Sequence, residues 1–108
     1  MKQHKFIILA PAQRELEAIA DIYSHLAGMD SAIKVTDKIL DALERLEAFP
    51  LIGILHHDRI LRNQGYRTLV VDKYICVYRI IEKNIYVYHI VHGATDYPQL
   101  FKEARKEE

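Results

Sequence analysis

The 108-residue chain has no tryptophan, a single cysteine, three prolines, four glycines and no net charge. Each scarcity excludes something. A lone Cys76 rules out an internal disulfide and any cysteine-based zinc site, and its place inside a strand-like segment predicts a small buried apolar residue. The few glycines form no phosphate-cradling loop. The longest unbroken apolar run, Phe6 to Ala10, is far too short to span a bilayer. It is also too short for the core of a signal peptide, so a cytoplasmic protein that does not engage membranes is expected. No Ser/Gly-rich linker, low-complexity tract or repeat interrupts the sequence, and the length suits one core, so residues 1–108 read as one domain.

What is present is unevenly charged. Gln13 to Phe49 carries four basic residues against eight acidic ones, whereas His56 to Arg79 carries five basic against two acidic. A basic segment on a neutral chain is a place where phosphate can be met.

Local patterns give an element order. "KFIIL" is apolar and partly β-branched, which predicts a short first strand. Pro11 falls where a helix tolerates proline. Leu16, Ile19, Ala20, Tyr23, Leu26 and Ala27 follow at helical spacing until Gly28, a candidate left-handed cap. Asp30 or Ser31 can cap a second helix, with the stripe Val35, Ile39, Ala42, Leu43, Leu46 and Phe49 and a stop at Pro50. The short link between the two helices predicts an antiparallel hairpin. Residues 50–65 read as irregular.

Three strands come next: "YRTLVV", "YICVYRII" and "IYVYHIV", joined by turns near Asp72-Lys73 and Glu82 to Asn84. Turns this short join antiparallel neighbours, so the strands form a meander. On the middle strand Tyr74, Cys76, Tyr78 and Ile80 share one face, and Ile75, Val77, Arg79 and Ile81 the other. Arg79 therefore interrupts an apolar face, where a charge must pair, snorkel or border a site. Asp96, three residues before Gln99 and followed by Pro98, matches a capping box opening a last helix. The predicted class is α+β: a helical hairpin packed on a twisted antiparallel sheet, in the order β-α-α-β-β-β-α.

That order resembles the RelE/ParE superfamily of toxins from bacterial type II toxin–antitoxin (plasmid stabilisation) systems. So do Tyr66-Arg67, Tyr74, Tyr78-Arg79-Ile80 and His92-Gly93 with Asp96. The resemblance implies a cognate antitoxin that wraps a disordered segment across the toxin. An edge strand or apolar groove left open without it would favour self-association of the chain. It also implies one of two activities. RelE-like members cleave mRNA, usually on the ribosome, as metal-independent endoribonucleases (mRNA interferases). ParE-like members inhibit DNA gyrase without catalysis, and a degenerate toxin would only bind its antitoxin.

For cleavage, the ribose 2′-hydroxyl attacks its own phosphate, which needs a base, an acid and a cation. His92 is the candidate base or acid, and Arg67 and Arg79 are candidate phosphate holders. Tyr97, or Tyr88, is a candidate stacking group or proton donor. Against this, Thr95 stands where many relatives carry arginine. Leu69, Val71 and Ile75 leave two strands apolar where RelE-type nucleases are basic. His56-His57-Asp58 forms a second polar cluster, but adjacent histidines diverge and chelate poorly, and His89 and His92 lie on opposite faces, so neither metal nor cofactor is expected. The central expectation is an open, arginine-bearing face of the sheet on which Arg67, Arg79 and His92 meet.

Overall fold

The computed structural model describes residues 4–93. It opens with strand β1 (Lys5–Ile8), followed by helices α1 (Ala10–Ala27) and α2 (Met29–Ala48). A two-residue strand β2 (Ile54–Leu55) and a short helix α3 (Arg59–Asn63) lead into β3 (Tyr66–Val71), β4 (Tyr74–Ile81) and β5 (Asn84–His92). The expected final helix, with Asp96 as its cap, lies outside the described residues.

Pro11 does sit in the first turn of α1, where no backbone donor is lost. Gly28 is the whole link between α1 and α2. Its φ of 90° belongs to glycine, and its N–H closes α1 on the Ser24 carbonyl at 3.1 Å. The expected capping of α2 by Asp30 or Ser31 is corrected: α2 begins at Met29 without a side-chain cap, and Asp30 lies in the first turn, where a carboxylate complements the helix dipole.

The sheet has five strands in the order β1-β5-β4-β3-β2. The meander is antiparallel, with both turns reversing through a non-glycine residue at positive φ, Asp72 (55°) and Glu82 (57°). The expected all-antiparallel sheet is corrected at one place: β1 joins β5 in parallel, from Lys5 beside Asn84 to Ile8 beside Val87. This follows from the two helices, which return the chain across the sheet as a crossover connection. Residues 50–65 are also more ordered than expected. Asp58 caps α3, its Oδ1 accepting from the N–H groups of Ile60 and Leu61 at 3.0 and 3.1 Å.

One face of the sheet is covered by α1 and α2. Leu16, Ile19, Ile39, Leu43 and Leu46 pack there against Tyr74, Cys76, Tyr78, Ile85, Val87 and Ile90. The opposite face carries a smaller cluster, Leu61 of α3 with Tyr66, Val77 and Val91, joined by Ile75 and Tyr88. A bulge in β5 sets which residues reach which face: Val77 pairs with His89 and Tyr78 with Val87, so Tyr88 is the extra residue of the bulge.

The two edges of the sheet differ. On the β1 side, helix carboxylates take strand N–H donors: Glu47 accepts from the Phe6 N–H at 3.2 Å, and Glu15 from the Ile90 N–H at 3.0 Å. On the other side β2 covers only Thr68 and Arg67 of β3. There Phe49, Leu51, Ile52, Ile54, Leu55 and Val70 are exposed. Among the described residues no helix is long and apolar enough to cross a membrane.

Candidate functional site

Arg67 lies on β3 opposite Tyr78, so the pleat turns both toward the helix-covered face. Its guanidinium Nη1 donates to the Gly53 carbonyl at 2.7 Å. The fully buried Tyr78 holds the same loop: its hydroxyl donates to the Pro50 carbonyl at 2.7 Å and accepts from the Gly53 N–H at 3.1 Å. Burial pushes the Tyr78 phenol up, against the opposing pull of the Gly53 N–H and the Arg67 charge. The approach is so close that a Cβ on Gly53 would lie 2.5 Å from the Tyr78 hydroxyl and 2.7 Å from the Thr68 carbonyl. Arg67 thereby helps fasten residues 50–53 onto the sheet.

Arg79, opposite Tyr66, points to the other face. Its guanidinium lies 4.9 Å from the Tyr66 ring and 5.3 Å from the Tyr88 ring, and Nη2 donates to the Tyr88 hydroxyl at 2.8 Å. The two tyrosine rings meet edge to face at 4.9 Å. Arg79 thus satisfies its apolar position by cation–π stacking and one good hydrogen bond, although Nε is buried without a hydrogen bond.

His92 is exposed at the end of β5, paired with Tyr74 and edge-on to its ring at 5.9 Å. Beside it, the hydroxyls of Tyr74 and Tyr23 of α1 are close enough to influence each other's ionisation. Tyr74 is pushed up to about 12, first by burial and then by the Tyr23 hydroxyl. Tyr23 is held below the usual phenol range by the Tyr74 hydroxyl, assisted by Lys73. Sequence reading had missed this pairing, because Tyr23 looked like one more member of a helix stripe. Tyr97, Thr95 and Asp96 lie outside the described residues.

The three described candidates therefore do not share a site. Arg67 and Arg79 point to opposite faces of the sheet. Arg67 and His92 share a face, but their positions are four residues apart along β4 and two strands apart across it. Strand geometry puts that separation at roughly 16 Å, too far to hold a single phosphate. The signal was in the sequence: a two-residue turn at Asp72-Lys73 places Arg67 opposite Tyr78 and Arg79 opposite Tyr66.

His56 is fully buried, its Nδ1 accepting from the Asp58 N–H at 2.9 Å and its ring stacked on His57 at 4.7 Å. Burial, then the His57 charge, holds its pKa below the usual imidazole value, as suits a neutral ring that shapes the entry to α3. His89 instead contacts the Glu15 carboxylate at 3.0 Å. Among the described residues no group of three His, Cys, Asp or Glu side chains is placed to hold a metal ion.

Comparison with known proteins agrees with this architecture. The family model for the ParE toxin of the type II toxin–antitoxin system parDE matches residues 6–97. Comparison with curated proteins found no match. Among solved structures, a chain of the chromosomal ParDE toxin–antitoxin system from P. aeruginosa is 23% identical with a TM-score of 0.71, covering 83% of this chain and 96% of that one. A chain of the RelBE2 toxin–antitoxin complex from Mycobacterium tuberculosis is 14% identical with a TM-score of 0.63, covering 83% of this chain and 98% of that one. These two likenesses concern the fold, and the family match, which spans most of the sequence, settles membership: the chain belongs to the ParE toxin family of type II toxin–antitoxin systems.

Proposed function

We propose that this toxin arrests growth as a ParE-like, non-catalytic inhibitor of DNA gyrase, kept silent by its cognate antitoxin, rather than by cutting mRNA. The observation that carries this reading is the dispersal of Arg67, Arg79 and His92. Phosphoryl transfer without metal needs a base, an acid and a cation within hydrogen-bond reach of one phosphate. Here one arginine fastens a loop, the other is stacked between tyrosines on the opposite face, and the histidine stands at the far end of the sheet. The family model, which is that of a ParE toxin, supports the same choice.

The test is direct. After induction in cells, mRNA ends are mapped by primer extension, and purified toxin is added to gyrase in a supercoiling assay. Loss of supercoiling with accumulated double-strand breaks and intact transcripts is the expected result. New cuts at codon positions with normal supercoiling would overturn it. His92→Ala is the informative variant, since the exposed ring has little part in the core; its toxicity should equal that of the unaltered protein.

A further inference from the structure

Apolar side chains are unevenly left in water. Of the fourteen large hydrophobic side chains exposed among the described residues, five fall within residues 49–55: Phe49, Leu51, Ile52, Ile54 and Leu55. Val70 of β3 joins them, because Ile52 and Val70 line one hollow of about 420 Å³. That hollow lies between α2 and the end of β3, and is also lined by Leu69 and Val71 and by Lys38, Asp41, Arg45 and Asp72. Beside it the loop projects, with Phe49, Leu51 and Ile54 exposed at 64, 67 and 71%. The sheet edge is open at the same place. The Tyr66 carbonyl accepts from the His56 N–H at 2.9 Å, so residues 66, 68 and 70 turn their backbone groups toward the β2 side. Strand β2 reaches no farther than Thr68, so Val70 stands on an edge that β2 does not cover.

We propose that this edge pairs two copies of the chain about a two-fold axis. Three observations favour a second copy as the occupant. One surface carries both a projection and a hollow, as a contact between identical patches needs. The charges around the hollow are two basic and two acidic, and Lys38 and Asp72 already pair at 3.0 Å, so a second copy of the same rim brings no repulsion. A strongly acidic or strongly basic partner would find no opposite field there. The exposed apolar area of the patch is on the order of 600 Å², at the top of what a monomer ordinarily shows. Doubled across a two-fold axis, it reaches the roughly 1,200 Å² at which specific interfaces begin. Such a contact is closed: each patch covers the other, and assembly stops at two. The pairing does not depend on the gyrase reading, because it concerns the chain by itself.

The experiment uses the full chain without antitoxin. Sedimentation equilibrium from about 1 to 200 µM should show reversible exchange between monomer and dimer, with a dissociation constant in the micromolar range. Ile54→Glu and Leu51→Glu each place one carboxylate per copy in the contact, and should raise that constant at least about hundredfold. Leu26→Glu, at an 82% exposed position on α1, adds the same charge elsewhere and should leave it within about twofold. Circular dichroism identifies the variants that keep the fold. Hydrogen exchange on the unaltered chain gives a second reading that needs no substitution: residues 49–55 and Val70 should be more protected at high concentration than at low. Equal protection at both concentrations overturns the pairing, as does a chain that stays monomeric at about 200 µM. So does a dimer that survives both folded glutamate variants, or assemblies that grow past two copies. A monomer that binds its cognate antitoxin and loses it on Ile54→Glu assigns the edge to the antitoxin, which also overturns the pairing.

Discussion

Removing one oxygen, in Tyr78→Phe, tests the account of how residues 50–53 are held. The ring stays in its buried place, so packing is preserved and only the hydroxyl is lost. Two hydrogen bonds go with it, at 2.7 Å to the Pro50 carbonyl and 3.1 Å from the Gly53 N–H. Each is worth about 1 kcal/mol net, and the Gly53 donor is left in a buried position, so a cost of about 2–3 kcal/mol is expected. In a urea titration with a slope of roughly 1.5–2 kcal/mol per molar, the midpoint should fall by about 1–1.5 M with the slope unchanged. Arg67→Met removes the third tie, the 2.7 Å bond to the Gly53 carbonyl. The two changes loosen the same loop, so their combined cost should be less than the sum of the separate costs. A Tyr78→Phe cost below about 0.5 kcal/mol, or full additivity with Arg67→Met, would refute the idea that these side chains act together on one segment. The same pair of variants bears on Arg67 itself: a positioned phosphate ligand would lose activity on substitution without losing stability.

Four further outcomes are expected. Gly53→Ala drives a methyl group against the Tyr78 hydroxyl and the Thr68 backbone oxygen, and should cost about 1–3 kcal/mol by thermal or chemical melting. His56, its pKa lowered by burial, contributes stability that is intact above about pH 6.5; it drains at up to about 1.4 kcal/mol per pH unit as the solution is acidified toward the folded value, and His56→Gln should flatten that limb of a pH–stability profile. Burial pushes the Cys76 thiol up to about 12, so the unfolded chain loses its proton first; stability should fall between about pH 9 and 12, and Cys76→Ala should remove that part of the alkaline decline. Glu47→Ala uncovers the Phe6 N–H on the β1 edge, and should lower stability by about 1 kcal/mol while raising the aggregation rate seen by light scattering.

The legible parts of the fold were those written in repeated local signals. "YRTLVV" and "YICVYRII" are the observed β3 and β4, because alternation and a polar two-residue turn bounded them on both sides. The helical hairpin was equally readable from its stripes and Gly28. What escaped lacked length. Strand β2 has two residues and α3 five, too few for any periodicity, although Asp58 ahead of Leu61 was a capping signal in plain view. The parallel partnership of β1 with β5 joins residues about eighty positions apart, which no local pattern encodes. The bulge at Tyr88 left a trace: Ile85 and Val87 keep strict alternation, and the next core residue is Ile90, three positions on instead of two. The separation of the described candidates has a related reason. Residue type chose Arg67 and Arg79, but the register of one hairpin decided that they face apart, and register is a property of pairs.

Net charge is a poor guide to such a molecule, and its geometry explains why. At physiological ionic strength, interactions between exposed charges fade beyond about 8 Å. A helix packs over a sheet at about 10 Å, so charges on the outer surface of α1 and α2 are screened from those on the far face of the sheet. An anion approaching the sheet therefore meets Lys5, Arg59 and Arg62 with only Asp58 and Glu82 nearby and without the acids of the hairpin, while the same anion approaching the helices meets the acidic excess. The two faces behave as separate proteins would. This makes a sharp statement about salt: lowering ionic strength to about 10 mM stretches the screening length to about 30 Å, so the two faces begin to cancel and the attraction of a polyanion such as heparin to the sheet face should rise less steeply than at higher salt. Neutralising hairpin acids far from the sheet, as in Asp37→Asn/Glu44→Gln, should restore the steep rise below about 30 mM and do nothing at 150 mM. A constant slope over the whole range, unaffected by those substitutions, would mean that the charges are not segregated in the way the fold implies.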